Sequence, residues 1–150
     1  MHMSFEHRTT ILLAEDNAII SMDKEMFLCE NGFDVVVASS GEEAVRAAEI
    51  EADIDLVLTD IDLGPGMDGL EAAERILEIR EVPIVFLTNH AETEYVEKAK
   101  RITSYGYVLK SAGKFMLLES IDMALKLFAA HQELDILHRT KSVANTCFSG

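Results

Sequence analysis

The chain contains no apolar run approaching the roughly 18–20 residues that a membrane-spanning helix needs. Its polar start, MHMSFEHRTT, lacks the pattern of a secretory signal. It has two cysteines, Cys29 and Cys147, far apart and at no metal-binding or redox spacing. That argues against a disulfide framework and fits a reducing, cytoplasmic setting. Positive charge is also scarce: 13 Lys and Arg stand against 27 Asp and Glu, a net charge of −14. Such a chain repels nucleic-acid phosphates, so direct binding to nucleic acid is disfavoured. No internal repeat and no low-complexity linker interrupts it.

Core-forming residues are plentiful. With 150 residues, 49% of them apolar, the chain can build one folded domain. Short runs suited to buried strands are TILLAED in the 9–16 region, FDVVVA (33–38), DLVLTD (55–60), PIVFLT (83–88) and GYVLK (106–110). Most are rich in Val, Ile and Leu, as parallel strands covered on both faces must be. Pro83 sits at a strand start, where proline is tolerated.

Helical patterns lie between these runs. Ile19, Met22, Met26 and Cys29 repeat at +3, +4, +3, which predicts one buried face. Asn17 is a suitable N-cap and Gly32 a suitable residue just past the helix end. SSGEEAVRAAEIEA offers a Ser-x-x-Glu capping box from Ser39 or Ser40. Leu70, Ala73 and Leu77 share a face, AETEYVEKAKR is shorter and more polar, and Leu118, Ile121, Leu125 and Phe128 repeat the helical spacing. Met22, Met26, Met116 and Met123 fall in helical patterns and are expected to pack. The five histidines show no ligand spacing and are expected at the surface.

The order is therefore βα, five times. That predicts an α/β, doubly wound parallel sheet with right-handed crossovers and helices on both faces. Ligands of such sheets bind at the C-terminal strand ends. Glu15 and Asp16, Asp60, Thr88 and Lys110 stand at four of those ends. Clustered carboxylates raise each other's pKa unless a cation joins them. Hard oxygen donors suit Mg²⁺. A carboxylate facing the crevice can attack phosphorus, while a cation and an ammonium spread the charge of the phosphoryl group. The set predicts a phosphoryl-accepting site.

ILLAEDN, DLVLTDIDLGPGMDG, PIVFLT and YGYVLK together resemble the receiver domain of two-component response regulators, over residues 9–130. The loop after Asp60 is similar to that of the subgroup associated with sensor kinases and PAS modules. The resemblance implies a flavodoxin-like (βα)5 fold with strand order 2-1-3-4-5. It implies Asp60 as phosphoacceptor, supplied by a sensor histidine kinase or phosphotransfer protein. It implies a Mg²⁺ site from Glu15, Asp16, Asp60 and the main-chain carbonyl of Asp62. Lys110 would contact the phosphoryl group. Thr88 and Tyr107 would be the switch pair, and the fourth helix, fifth strand and fifth helix the output surface. Such a domain catalyses only its own phosphorylation and dephosphorylation. The chain departs from the family in two places. Its loop after the acceptor is one residue longer, and Ser111 replaces the usual cis proline after the lysine. A non-proline cis bond costs about 2.5–4 kcal/mol.

Asp68, beside Gly69, reads as the acid that starts the third helix. Two other functional readings remain. One is a degenerate receiver that only binds partners. The other is a haloacid-dehalogenase-type phosphatase, with Asp60 as nucleophile and Asp62 as general acid. Against the latter, two strands precede the motif and no later acidic pair follows Lys110.

The last helix outruns a receiver. Residues 1–8 are expected to be disordered or tag-derived, 9–130 to form the domain, 131–141 to extend the last helix and 142–150 to be a disordered tail. Met123, Leu127, Ala130, Leu134 and Leu137 form a second stripe, offset from the first. It is expected to pair with another copy or lead towards a further module. The residues past Ala130 are too few to build a further domain.

Overall fold

The computed structural model describes residues 8–89, 93–102 and 105–148, apart from the side chains of 93–95 and 140–148. His2, His7 and His90 lie outside it, as do residues 1–7 and 149–150 of the expected termini. The strands are β1 (Thr10–Ala14), β2 (Asp34–Ala38), β3 (Ile54–Asp60), β4 (Ile84–Thr88) and β5 (Tyr107–Leu109). The helices are α1 (Ala18–Glu30), α2 (Gly41–Ile50), α3 (Gly69–Ile79), α4 (Thr93–Ile102) and α5 (Lys114–Phe148). A 3₁₀ turn, Lys110–Ala112, joins β5 to α5. All strand pairs are parallel and the order is β2-β1-β3-β4-β5, as the resemblance implies. No helix among the described residues is long and apolar enough to cross a membrane.

Strand alternation sends Ile11 and Leu13 to one face of the sheet and Leu12 and Ala14 to the other. On one face Leu12, Val57 and Phe86 meet Ala44 and Ala48 of α2, Leu70, Ala73 and Ile76 of α3, and Ala99 of α4. On the other, Ile11, Leu13, Leu58 and Val85 meet Leu28 of α1 and Leu117, Ile121 and Ala124 of α5. The predicted stripes of α3 and α5 face inwards.

The helix starts follow their caps. The Asn17 side chain accepts from Ile19 N and Ile20 N, and Asp68 from Glu71 N. Ser40, not Ser39, caps α2 by accepting from Glu43 N. The Glu43 carboxylate accepts from Ser39 N and its hydroxyl. Glu42 turns away and accepts from Met67 N at 2.9 Å, tying α2 to the loop after β3.

Three expectations need correction. The predicted inner stripe of α1 points outwards: Ile19, Met22, Met26 and Cys29 are exposed. The inward residues are Ser21, Lys24 and Leu28, also at +3, +4 spacing, two of them polar. All four methionines expected to pack are exposed. On α5 this is because Leu117, Ile121 and Ala124 already fill the inner face. Finally, α5 runs to Phe148, through residues expected to form a disordered tail. At the other end, Arg8 is tied to Phe33 O and to the Asp34 carboxylate.

Candidate functional site

The chain leaves β1 towards β2 on one side and returns to β3 on the other, so a crevice opens between the ends of β1 and β3. Register sets what enters it. Ala14 pairs with Thr59, which puts Glu15 level with Asp60, while Asp60 pairs with Leu87 and Thr88 with Leu109. By this register Glu15 and Asp60 share a level, Thr88 stands one residue beyond it and Lys110 one beyond Thr88, all at the same end of the sheet.

The carboxylates of Glu15, Asp16 and Asp60 lie within 4.8 Å of one another. Glu15, Asp60 and Thr88 are buried and Asp16 is exposed. Asp60 is held at both oxygens: Oδ1 accepts from Asp62 N at 3.0 Å, and Oδ2 accepts from Lys110 Nζ. Glu15 Oε2 accepts from Asn17 N at 3.2 Å. Its Oε1 is buried and accepts no hydrogen bond; Lys110 Nζ lies 3.6 Å away and Lys24 Nζ 4.0 Å. A buried anionic oxygen without a hydrogen bond is costly. An unpaired hard oxygen among three carboxylates fits a divalent cation of the Mg²⁺ type.

The electrostatics follow from this crowding. Burial pushes the Glu15 carboxyl above the ordinary glutamate range and Asp60 adds to the push, while the Asn17 N–H and Lys110 oppose it. Burial also acts against the charge on Lys110, but its hydrogen bond to Asp60 and the charges of Asp60 and Glu15 outweigh that and raise its pKa. Lys24 is lowered, by burial first.

The loop after Asp60 covers this cluster. A side chain at Gly64 (φ +79°) would come within 3.2 Å of Asp16 Oδ2, and one at Gly69 within 1.9 Å of the Asp60 carbonyl oxygen. Gly69 N donates to Ile61 O at 2.8 Å, so the chain folds back tightly enough that only glycine fits. Asp68 caps α3, as expected, and its carboxylate stands apart from the cluster.

Glu15, Asp16, Asp60 and Lys110 are thus brought together, with Thr88 one residue beyond the level of Asp60. No cis peptide bond occurs among the described residues, so Lys110–Ser111 is trans, and Lys110 still reaches Asp60. The Asp62 side chain is exposed, and its contribution here is a backbone N–H to the Asp60 carboxylate. Tyr107 opens β5 opposite Phe86, with its ring at the surface. Sequence reasoning missed Lys24. Its signal was the +3 step from Ser21, hidden because a lysine on an inward face defies the apolar pattern.

Residues 11–122 match the model of the response regulator receiver domain family. The transcriptional regulatory protein PdtaR of Mycobacterium tuberculosis is 37% identical over 119 residues, covering 79% of this chain and 57% of that protein. The N-terminal domain of a response regulator/sensory box/GGDEF three-domain protein from Carboxydothermus hydrogenoformans is 41% identical, with a TM-score of 0.76, covering 82% of this chain and 98% of that one. A fusion containing amino acids 181–211 of the yeast Spc42 trimeric coiled coil is 38% identical, with a TM-score of 0.81, covering 96% and 98%. The chain spans little more than half the length of the curated relatives it matches first.

Proposed function

The chain belongs to the response regulator receiver domain family, and from that premise we propose that Asp60 takes a phosphoryl group from a phosphohistidine donor. The donor is a sensor histidine kinase or a phosphotransfer protein, and the exchange is cytoplasmic. The observation that carries this reading is the meeting of Glu15, Asp16 and Asp60 within 4.8 Å, with Lys110 on the Asp60 carboxylate. That arrangement also speaks against a receiver that has lost its chemistry and only binds partners.

A carboxylate oxygen of Asp60 attacks phosphorus. A P–O bond forms as the P–N bond to the donor imidazole breaks, and the imidazole leaves with the electron pair and takes up a proton. The Asp62 N–H aims the carboxylate. Lys110 moves its ammonium from Asp60 to the incoming phosphoryl oxygens. Burial of Glu15 and Asp60 strengthens each of these contacts. The residues that would hold Mg²⁺ are Glu15, Asp16, Asp60 and the Asp62 carbonyl. When bound, the ion supplies charge neutralisation to the transferring group. Thr88, one layer from Asp60, donates to the phosphoryl group. Tyr107 follows it, changing the surface of α4, β5 and α5. The chain turns over no separate substrate.

Intact mass after incubation with Mg²⁺ and acetyl phosphate or phosphoramidate tests this. The parent should gain one phosphoryl group and Asp60→Asn none. No gain in the parent refutes the proposal, and steady phosphate release from an unrelated phosphomonoester points to the phosphatase instead.

A further inference from the structure

Helix α5 has two apolar faces, and only one is covered. Leu117, Ile121 and Ala124 are buried against the sheet, with Leu118 and Leu125 packed beside them, and the Phe128 ring meets Tyr105 edge-on. The other face carries Met116, Met123, Leu127, Leu134 and Leu137, between 39% and 64% exposed, together with exposed Ala130. Its spacing is a strict heptad. Ser120, Leu127 and Leu134 fall at a, and Met116, Met123, Ala130 and Leu137 at d. The covered residues Ile121, Ala124, Leu125 and Phe128 fall at b, e and f, so the domain does not obstruct the a/d seam.

The helix also outlasts its support. From Ala129 to Arg139 every residue is exposed. Tyr105 anchors its start through a hydrogen bond to His131 Nδ1 at 2.8 Å. A helix draws most of its stability from packing an apolar face, and a projecting end without one is marginal in water. A seam repeating every 3.5 residues is met by a second helix with the same repeat. The chain itself supplies one. In a parallel, in-register pair Leu127 meets Leu127 and Leu134 meets Leu134, while Glu133 at g faces His138 at e of the other copy.

We infer that α5 forms a parallel two-stranded coiled coil with a second copy of this chain through Met123, Leu127, Ala130, Leu134 and Leu137. The covered face of the same helix packs on β4 and β5 and adjoins the turn that begins at Lys110. Each protomer's seam is therefore fixed to the segment that contacts Asp60.

Sedimentation equilibrium on the full chain over a wide concentration range reads the pairing. The parent should reach twice the chain mass. Leu127→Glu with Leu134→Glu puts charges into the seam and should raise the dissociation constant on the order of a hundredfold or more. Far-UV circular dichroism of that variant should keep the receiver's helix and strand signal. For register, Leu137→Cys with Cys29→Ser and Cys147→Ser should form a disulfide-linked dimer with diamide. A parent that stays monomeric at every concentration overturns the inference and assigns the seam to another chain or a further segment. A dimer that survives the two glutamates overturns it in favour of a different interface. A dimer in which Leu137→Cys does not cross-link overturns the parallel register.

Discussion

The two faces of the sheet are finished to different degrees. On the face covered by α2, α3 and α4, the helices turn their apolar residues inwards; Ile50 and Ile79, each closing its helix, are the large exceptions among the described residues. On the other face, α1 and α5 leave Ile19, Met22, Met26, Phe115, Met116, Met123, Leu127, Leu134 and Leu137 in solvent. The first face is a core. The second is a core with its outer layer left uncovered, and α1 on that side also sends a lysine, Lys24, in towards Glu15. Apolar content thus measures packing on one side of this molecule and available surface on the other.

The comparison can be broken by substitution. The largest expected effect is on the closed face. Ile76→Ala empties a buried site and should cost about 2–5 kcal/mol, roughly 2–4 °C of Tm per kcal/mol for a chain of this size. A shift below 0.5 kcal/mol by thermal or urea unfolding would mean that face is not the closed core described.

Next is the inward lysine of the open face. The Lys24 ammonium, 4.0 Å from Glu15 Oε1, competes with any cation for that oxygen. Lys24→Met should tighten Mg²⁺ binding, measured by calorimetry, by roughly tenfold, which is about 1.4 kcal/mol. Unchanged affinity would remove Lys24 from the site.

Smaller still is Glu15→Gln. In metal-free protein it should raise stability by about 1 kcal/mol, because it removes a buried charge. The sign with pH follows from the raised Glu15 value. The parent is free of the penalty below the ordinary carboxylate pKa and loses stability as pH rises through the raised one. The advantage of the variant should therefore widen with pH, and a gap that narrows with rising pH would contradict the assignment. The smallest effect should come from Met26→Ala, within about 0.5 kcal/mol of the parent, since that side chain is largely in solvent. A loss above 1 kcal/mol would show that α1 packs differently.

Much of this was legible in sequence because one physical pattern dominates each element. The central strands β1, β3 and β4 are buried on both sides, so their Val, Ile and Leu runs stood out, and the edge strands β2 and β5 carry short apolar runs of the same kind. Asn17, Ser40 and Asp68 cap helices with local hydrogen bonds that depend on neighbours only. The cluster was legible because strand order and strand ends together determine which residues meet. The inner side of α1 was not, because Ser21 and Lys24 replace apolar residues where the helix borders the site. The turn at Lys110 was not, because sequence does not tell a trans Lys-Ser bond from a cis one. The length of α5 was not, because the residues after 141, SVANTCFSG, are rich in Ser, Thr and Asn, which are poor helix formers.

The central claim is that Asp60 is the residue that accepts the phosphoryl group. Borohydride reduction of the chain after treatment with Mg²⁺ and acetyl phosphate, followed by peptide mapping, reads it directly. Reduction of an aspartyl phosphate yields homoserine, and it should appear at position 60 alone. Homoserine at another aspartate, or a phosphorylated chain with none, would contradict the account.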